Sequence, residues 1–518
     1  MSDLPADVGA LAEYWGRAAP NREALWYRER SWTWAQLADQ VNRNAAAQLA
    51  AGLRPGDRVA LLDKNSPAHI VTALACLRVG TVLVPVNFRL AADEARHLIS
   101  DSRARLLLAG AEFRDVTDTI KADLPSVART VVLGGSDDQY ERWLAGAGPA
   151  ALPPRPAGNA CFLQVYTSGT TGYPKGAMIT GAGMTAQAVP RGAALGVRPD
   201  NVWMAALPPF HTGVVGWLLA ALYHGACVVL VRDIDPPALL EEITGRPVTH
   251  VLLAPVLLSA LLEVPGVANR DYRHVQALVY TGSPIPPPLL RRCLETFPVP
   301  FFQLYGTTEA SVISILGDRE HRDAGHRHRL ASAGQPLPGV EVEIADPGSG
   351  ERLGRGQVGE VRVRSRQVML GYWSSAGPDR SAITPDGWLR TGDAGYLDDD
   401  GYLYLHGRLK DMYITGSSNV YAAEVERVLA GHPGVAEAAV IGIPDDTLGE
   451  VGLAFLIPAA TTGLDESDVL RHCREHLAAY KCPASLVIVG DLPRNAPGKV
   501  VKEKLREQAL MNVPKTGR

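Results

Sequence analysis

The chain has 518 residues, more than one ordinary hydrophobic core accommodates, so two or more domains are expected. Hydrophobic residues make up 46% and charged residues 20%, a balance typical of globular rather than disordered or fibrous proteins. The net charge is −4, and no stretch concentrates Lys and Arg on one face. Composition therefore argues against a nucleic-acid-binding protein.

The cysteines and the apolar stretches bear on the cellular compartment. The six cysteines are scattered, without a CxxC pair or a His at metal spacing, which favours reduced thiols in the cytoplasm. Asp3 and Asp7 lie where a signal peptide would need a basic and an apolar run. The most apolar stretch, Gly216–Val231, is interrupted at Tyr223 and predicts a helix and a buried strand. We expect a cytoplasmic protein without a membrane span.

Helical and strand patterns alternate along the first 300 residues. Thr33–Ala51 predicts a helix that stops before Gly52. The next predicted elements are the strand Asp57–Leu62, the helix Pro67–Val79, the strand Thr81–Val86, the helix Ala92–Asp101 and the strand Arg105–Ala109. Further strands are predicted at Asn201–Ala206, Cys227–Val231, His250–Ala254 and Ala277–Tyr280. Short apolar strands between helices indicate parallel pairing and an α/β fold.

A linker and a later change of composition divide the rest of the chain. A Pro/Ala/Gly linker, Ala147–Gly158, precedes the strand Cys161–Tyr166, and from about Gly334 the chain becomes rich in Gly and strands. These strands are predicted at Val340–Ile344, Gly359–Val363 and Tyr402–Leu405. The final region has its own α+β pattern, comprising Glu424–Ala430, Val435–Ile443, Leu453–Ile457, Ser467–His476 and Ser485–Val489. We place a domain boundary near Lys410, giving domains 1–409 and 410–518.

A loop suited to an oligophosphate follows the strand Cys161–Tyr166. It carries three glycines, four hydroxyl side chains and one lysine within ten residues. Glycines let the backbone approach an anion, hydroxyls donate hydrogen bonds and the lysine offsets charge. The common G-x-x-x-x-G-K-[ST] spacing fails because Gly176 follows the lysine. The candidate nucleotide-binding residues here are Thr167, Ser168, Gly169, Thr170, Thr171, Gly172 and Lys175.

The segment YTSGTTGYPKGAMIT, residues 166–180, resembles the signature of the adenylate-forming superfamily. That superfamily includes acyl- and aryl-CoA ligases, adenylation domains of peptide synthetases, and luciferases. Further motifs match in order over nearly the whole chain, and the pattern is most similar to fatty-acid and aryl-acid CoA ligases. The resemblance implies a large N-terminal domain of layered α/β subdomains with a β-barrel-like part, and a small mobile α+β C-terminal domain.

Two further segments resemble those that enclose adenine and the α-phosphate in the superfamily. An aromatic residue beside a glycine offers a stacking face and close backbone approach. The resemblance implies that Thr308 contacts the α-phosphate and that Glu309, with Thr167, holds Mg²⁺, since a hard cation prefers oxygen ligands. The implied nucleotide-binding residues are Gly282, Ser283, Pro284, Gln303, Tyr305, Gly306, Thr307 and Thr308.

The C-terminal motifs imply the remaining nucleotide contacts. Asp393 matches the residue that accepts hydrogen bonds from both ribose hydroxyls, and Arg408 matches an arginine near ribose and phosphate. Lys410 matches the hinge of the small domain. Lys499, in the segment LPRNAPGK, matches the lysine that bridges the substrate carboxylate and the α-phosphate. A preplaced ammonium stabilises the charge that builds there in the transition state.

The resemblance also implies an acid pocket and a thiol tunnel. His211 and Val215, with Gly282 and Gly306, would border the acyl group. Gly416 stands at the position that lines the thiol tunnel in CoA ligases. The sequence departs from its relatives at GSSN, residues 416–419, where GGEN is usual, so the thiol step is less firmly implied than adenylation.

We therefore expect ATP- and Mg²⁺-dependent conversion of a carboxylic acid to an acyl-adenylate, followed by transfer to coenzyme A. A carrier-protein thiol or a nitrogen nucleophile remains an alternative acceptor. An inert nucleotide-binding regulator is disfavoured because Glu309, Asp393 and Lys499 are all present. A kinase or phosphatase is disfavoured by the failed loop spacing. The acid and the oligomeric state stay open, with a homodimer as one alternative.

Overall fold

The computed structural model describes residues 4–147, 152–167, 174–415, 418–445, 447–459, 464–494 and 499–512. Within these ranges the strands are β1 (Glu23–Tyr27), β2 (Arg30–Thr33), β3 (Arg58–Leu62), β4 (Val82–Pro85), β5 (Ala104–Gly110), β6 (Arg129–Leu133), β7 (Cys161–Thr167), β8 (Lys175–Thr180), β9 (Val202–Ala205), β10 (Cys227–Leu230), β11 (His250–Leu253), β12 (Ala277–Thr281), β13 (Phe301–Thr307), β14 (Ser311–Leu316), β15 (Gln335–Pro336), β16 (Val340–Ala345), β17 (Gly359–Ser365), β18 (Leu389–Leu397), β19 (Leu403–Arg408), β20 (Met412–Thr415), β21 (Ser418–Tyr421), β22 (Val435–Asp445), β23 (Gly449–Pro458) and β24 (Ser485–Ile488).

The α-helices in the same ranges are α1 (Leu11–Ala18), α2 (Trp34–Ala50), α3 (Pro67–Val79), α4 (Ala92–Asp101), α5 (Arg114–Ile120), α6 (Tyr140–Ala145), α7 (Gly181–Ala194), α8 (Thr212–Tyr223), α9 (Pro236–Gly245), α10 (Pro255–Leu262), α11 (Pro287–Thr296), α12 (Asp318–Arg322), α13 (Ala422–Leu429), α14 (Glu466–His476) and α15 (Lys502–Asn512). None of these helices is both long and apolar enough to cross a bilayer.

Two helix ends show how the sequence sets these boundaries. The helix predicted over Thr33–Ala51 begins one residue later because Thr33 caps it: its hydroxyl accepts from the Gln36 amide at 3.3 Å, and Gln36 Oε1 accepts from the Thr33 amide at 2.9 Å. This capping box satisfies amides that would otherwise lack a partner. At the end of α3, Gly80 adopts a φ of +80°, a conformation that suits glycine. The predicted bounds of α3 and α4 are confirmed.

Two large sheets build the N-terminal part. The six-stranded sheet has the order β6-β5-β3-β4-β7-β8 and is parallel except for the β7–β8 pair. The nine-stranded sheet has the order β15-β14-β13-β12-β11-β9-β10-β1-β2, with antiparallel strands at both edges. The predicted parallel pairing is therefore confirmed in the interior of both sheets. Apolar side chains of both sheets and of α3, α7 and α8 share one core, so helices fill the space between the sheets.

Two smaller sheets follow in the chain. Strands β16 to β19 form an antiparallel sheet in sequence order. Strands β20 to β24 form a separate five-stranded sheet with its own core, which includes Tyr413, Val440 and Leu456. A single turn of 3-10 helix, Leu409–Asp411, joins β19 to β20. The mixed α/β architecture expected from the sequence, a large N-terminal part and a smaller α+β part, is confirmed.

Candidate active site

The turn between β13 and β14 carries Thr308 and Glu309 and is tightly wound. A Cβ atom at Gly306 would lie 1.9 Å from the Ser311 carbonyl oxygen, so only glycine fits there without displacing backbone. Ser311 itself has a φ of +57°, in the left-handed region. The Thr307 hydroxyl accepts a hydrogen bond from the Ala310 amide at 3.1 Å. The turn is therefore closed by contacts among its own residues.

The Glu309 side of this turn is held by a segment that the motifs did not single out. The Met369 amide donates to the Glu309 carbonyl oxygen at 2.8 Å. The Tyr372 hydroxyl donates to Glu309 Oε1 at 2.7 Å. Burial and the neighbouring Glu309 carboxylate raise the pKa of Tyr372, so this hydroxyl stays a donor at neutral pH. Within the described ranges no hydrogen bond reaches the second carboxylate oxygen of Glu309, so its lone pairs are available to another ligand.

The phosphate loop connects β7 to β8 at the same end of the site. Thr167 pairs with Lys175 in the antiparallel register of these strands, which brings the two ends of the loop together. Lys175 Nζ lies 5.3 Å from the centre of the Tyr372 ring. Tyr372 thus links the base of the phosphate loop to Glu309. The remaining candidate residues of this loop, Ser168, Gly169, Thr170, Thr171 and Gly172, lie outside the described residues.

Asp393 of β18 is the centre of a second cluster. Its Oδ2 accepts a hydrogen bond from the Tyr305 hydroxyl at 2.6 Å, and its Oδ1 pairs with Arg408 Nε at 2.9 Å. Arg408 is directly opposite Asp393 in the antiparallel register and also donates to the Thr391 carbonyl oxygen at 3.0 Å. Burial raises the pKa of Asp393, while the positive charge of Arg408 opposes that rise. The structure therefore brings together three of the proposed nucleotide contacts.

Lys499, far along the chain, reaches both clusters. Burial and the positive charge of Arg408 lower the pKa of Lys499, whereas the carboxylates of Asp393 and Glu309 raise it. Such interactions require that the ammonium group lies close to these side chains. The neighbouring candidate residues 495–498 are outside the described part of the chain. Lys499, Glu309, Asp393 and Arg408 therefore share one electrostatic site.

His211 faces the same lysine. It precedes α8, and its ring lies 4.5 Å from the ring of Phe210. Burial, and then the positive charges of Lys499 and Arg89, lower the pKa of His211 to about 4. The imidazole is consequently neutral at pH 7 and suits the wall of a pocket better than a proton-transfer role. Val215, one helical turn further, is buried in the large core.

The segment after β12 is open at its tip but buried at its base. Gly282 has a φ of +92° and no atom within 4 Å of a Cβ built on it, and Ser283 and Pro284 are exposed. Tyr280, two residues before Gly282, is the aromatic residue of the segment that resembles one side of an adenine site. It is fully buried, and its hydroxyl lies 3.1 Å from Gln303 Oε1. A stacking face for adenine must therefore come from another residue, because β12 is an interior strand that is buried on both faces as far as Tyr280.

The two residues assigned to the hinge and the thiol tunnel are only partly described. Lys410 is exposed in the turn Leu409–Asp411, between the four- and five-stranded sheets. Gly416 lies outside the described residues. Among the residues that sequence reasoning missed, Tyr372 has the most direct contact with the site. The only sign of Tyr372 in the sequence is that this aromatic residue follows a glycine, Gly371. In the structure Gly371 has a φ of +138°.

Comparison with known proteins agrees with this geometry. A family profile described as AMP-binding enzyme matches residues 12–373, and a profile for its C-terminal domain matches residues 424–499. The chain therefore belongs to the AMP-binding enzyme family, the adenylate-forming proteins that its motifs resemble. The expected superfamily is confirmed.

Two relatives and one solved structure show how far the likeness extends. A fatty acid–[acyl-carrier-protein] ligase, ScoC of Streptomyces coeruleorubidus, is 36% identical, covering 94% of each chain. A feruloyl-CoA synthase of an Amycolatopsis species is 36% identical, covering 95% of this chain and 97% of its own. The ATP-bound structure of MatB from Rhodopseudomonas palustris is 29% identical, with a TM-score of 0.88 and coverage of 97% and 99%.

Proposed function

We propose that this protein joins a carboxylic acid to AMP, releasing pyrophosphate from ATP, and then transfers the acyl group to coenzyme A. The observation that carries the proposal is one cluster of charged side chains. Asp393 pairs with Arg408 at 2.9 Å, and Lys499 lies near this pair and near Glu309. These residues come from distant parts of the chain and from three different sheets or the loops that follow them. A site assembled in this way supports a reaction in which charge builds on a phosphate between them.

In the first step a carboxylate oxygen of the acid attacks the α-phosphorus of ATP. The new O–P bond forms as the bond to the bridging oxygen breaks, and pyrophosphate leaves with that electron pair. Lys499 stabilises the negative charge on the α-phosphate and the acid, and Thr308 donates a hydrogen bond to the same phosphate. The mixed anhydride is itself the activated species, so no nucleophile from the protein is needed.

The chain's own residues orient the nucleotide. Each oxygen of the Asp393 carboxylate has a second lone pair beyond the contacts with Tyr305 and Arg408, which leaves it able to accept from the ribose hydroxyls. Lys175 and the phosphate loop after Thr167 bind the leaving pyrophosphate. Gly282, where a Cβ would meet no atom within 4 Å, leaves room for the adenylate near the neutral ring of His211, and Gly306 lets the adjoining turn close tightly on Ser311.

Mg²⁺ is the metal that the family implies, and the residues fit it. Glu309 offers a carboxylate oxygen besides the one bound by Tyr372, and Thr167 offers a hydroxyl. Oxygen donors of this kind suit a hard cation that retains waters and phosphate ligands. When bound, the ion neutralises charge on the phosphates. Tyr372 holds one oxygen of the Glu309 carboxylate, and the Tyr372 ring lies 5.3 Å from Lys175.

The second step uses the C-terminal part of the chain. We assign residues 1–409 to the domain that binds ATP and acid and residues 410–518 to a mobile domain. Rotation about Lys410 would withdraw Lys499 and present the loop at Gly416 to the adenylate. A thiolate then attacks the acyl carbon, forming a thioester and releasing AMP. The free state of all six cysteines supports a cytoplasmic enzyme.

The thiol can be that of coenzyme A or of a carrier protein. The similarity to a feruloyl-CoA synthase favours the first, and the equal similarity to ScoC keeps the second as a specific alternative. A pyrophosphate-release screen over a panel of carboxylic acids tests the first step. Repeating it with CoA, or with a carrier protein bearing the phosphopantetheine arm, and detecting the thioester by mass identifies the acceptor. Absence of acid-dependent pyrophosphate release across the panel would contradict the proposal.

A further inference from the structure

Three side chains that can bind a metal ion lie together at the end of α14, in the C-terminal part of the chain. His472, Glu475 and His476 each offer one ligand atom, and these atoms all lie within 4.8 Å of one another. Among the residues that the structure describes, no other three His, Cys, Asp or Glu side chains come as close together in this way. None of the three belongs to the nucleotide, acid or thiol contacts assigned above, so the proposed function gives this cluster no role.

The helix places the three side chains on one face that solvent reaches. Positions separated by three and four residues are neighbours on a helix surface, which is the spacing of His472, Glu475 and His476. Cys473 lies between them in sequence, but it is fully buried in the C-terminal core. His472 is partly exposed, and Glu475 and His476 are exposed. An ion in solution can therefore reach the cluster without any movement of the fold.

Hydrogen bonds to backbone carbonyls leave one nitrogen of each imidazole for a metal ion. His472 Nε2 lies 3.1 Å from the carbonyl oxygen of Val428 in α13, and His476 Nδ1 lies 2.8 Å from the carbonyl oxygen of His472. A carbonyl oxygen can only accept, so each of these two nitrogens carries a proton. In the neutral ring, Nδ1 of His472 and Nε2 of His476 therefore keep a lone pair. A carbonyl bound to the second ring nitrogen is the usual support of a histidine that ligates a metal.

A fourth histidine nearby is already engaged by other groups. The ring of His432 lies 5.4 Å from the ring of His472. Its Nε2 lies 3.0 Å from Asp468 Oδ2, and its Nδ1 accepts a hydrogen bond from the Gly434 amide at 3.1 Å. His432 is thus held by these contacts and does not join the set. The described part of the chain offers two nitrogens and one carboxylate, and water would complete the coordination.

Two adjustments are needed before the set can share an ion, and both are small. Glu475 Oε1 accepts from Arg471 Nη1 at 3.3 Å. This ion pair is exposed, and exposed pairs contribute little free energy, so a divalent ion can compete with the guanidinium. Bond lengths of about 2.0–2.1 Å in a tetrahedral site put the ligand atoms about 3.4 Å apart. Rotation of the exposed Glu475 and His476 side chains is sufficient to close the remaining distance.

From this arrangement we propose that His472, Glu475 and His476 bind one divalent transition-metal ion, with Zn²⁺ as the best fit. Two imidazole nitrogens, one carboxylate oxygen and a water form a ligand set that Zn²⁺ accepts. Imidazole also suits copper and nickel, whereas Mg²⁺ prefers oxygen ligands and retains its waters. The site would therefore discriminate against the Mg²⁺ that accompanies ATP. The ion would hold the last turn of α14 and, through His472, its contact with α13.

The test is a calorimetric titration of the full-length protein, without a histidine tag, with Zn²⁺ in an excess of Mg²⁺. One ion per chain is expected at this site. His476→Gln should weaken its binding by about tenfold or more, since loss of even an outer partner of a metal ligand costs about 10- to 100-fold in affinity. Glu475→Gln should also weaken it, because the neutral amide is a poorer ligand. His274→Ala is the matched control, since His274 is exposed and lies outside the cluster, and it should leave Zn²⁺ affinity unchanged.

The outcomes separate this site from the proposed function. Because His476 is exposed, His476→Gln should unfold at the same temperature as the intact protein when zinc is absent, so a loss of binding would not reflect a loss of fold. Equal Zn²⁺ affinity in His476→Gln and the intact protein would overturn the inference by placing the ion elsewhere. Absence of Zn²⁺ binding, or its loss when Mg²⁺ is in excess, would overturn it as well. None of these results depends on pyrophosphate release, which tests adenylation alone.

Discussion

The two parts of the candidate site are held in different ways. In the N-terminal part, Glu309 and Asp393 are fixed by short hydrogen bonds from Tyr372 and Tyr305. Lys499 follows the five-stranded sheet, and the charges of these carboxylates and of Arg408 shift its pKa. The first group depends on packing within one scaffold, whereas the lysine depends on how the C-terminal part is placed. Chemistry that needs both can be switched by moving only one of them.

This contrast separates two kinds of variant. Changes to the scaffold should impair every step that uses the bound nucleotide, whereas loss of Lys499 should impair only the step that builds charge at the α-phosphate. Each of the following predictions tests one side of that distinction, in order of expected effect.

Replacing Glu309 with Gln should have the largest effect among the scaffold variants. The carboxylate charge that we assign to Mg²⁺ is lost, while shape and the contact with Tyr372 are nearly kept. We expect adenylation to fall by about 10²–10³-fold and the half-saturating Mg²⁺ concentration to rise. Steady-state pyrophosphate release over a Mg²⁺ titration measures both. Glu295→Gln, at an exposed position of α11, is the control. An unchanged Mg²⁺ dependence in Glu309→Gln would show that Glu309 does not bind the metal ion.

Replacing Gly306 with Ala should distort the turn that carries Thr308 and Glu309. The added Cβ would meet the Ser311 carbonyl oxygen at 1.9 Å, so backbone must move. A displacement of about 1 Å in a reacting group can cost about 10²-fold in rate. Pyrophosphate release and a thermal unfolding curve report the outcome. Gly245→Ala, where a Cβ meets no atom within 4 Å, should change neither the rate of pyrophosphate release nor the thermal unfolding curve. Wild-type adenylation by Gly306→Ala would show that the turn tolerates the shift.

Replacing Tyr372 with Phe should have a smaller effect, about 10- to 100-fold in metal affinity or rate. The ring near Lys175 stays, and only the hydroxyl that orients Glu309 is removed. The half-saturating Mg²⁺ concentration is the measurement. Tyr402→Phe provides a matched control, because it removes a similar 2.9 Å hydrogen bond to Glu320 outside the site. Equal effects of the two variants would mean that Tyr372 acts only through stability.

The pH range over which kcat/KM stays high should be narrower than the range that unperturbed Asp and Lys side chains would give. Asp393 must be ionised, and because its pKa is raised by burial, activity should begin to fall at a higher pH on the acid side. Lys499 must be protonated, and because burial lowers its pKa below 10.5, activity should be lost at a lower pH on the alkaline side. The Lys499→Arg variant keeps its positive charge at high pH, so its activity should no longer fall on the alkaline side of the profile. An unchanged alkaline limb in that variant would assign it to another group.

Much of the fold could be predicted from the sequence because its local signals agree with its packing. The helices Pro67–Val79 and Ala92–Asp101 have the predicted bounds, and apolar runs between such helices form the parallel interior strands. The motifs also indicated residues that the structure brings together, such as Tyr305, Asp393 and Arg408. Their roles remain proposals, but their proximity is a property of the fold.

The sequence could not supply contacts that depend on tertiary register. Tyr372 reaches Glu309 across 63 positions, and nothing local to Gly371 and Tyr372 identifies that partner. Tyr280 lies in a segment that resembles one side of an adenine site, yet β12 is an interior strand covered on both faces, which buries Tyr280. Arg191 has the same limitation, since an arginine in a helical pattern is ordinarily exposed. Only the packing of α7 against α8 reveals that it is enclosed.

The contrast between the N-terminal scaffold and Lys499 is tested most directly by measuring the two half-reactions separately in the Lys499→Ala variant. Single-turnover formation of acyl-AMP from acid and ATP should fall by about 10²–10³-fold or more. Thioester formation from chemically prepared acyl-AMP and CoA should proceed near the rate of the intact protein. Acyl-AMP formation at the native rate in this variant would contradict the account.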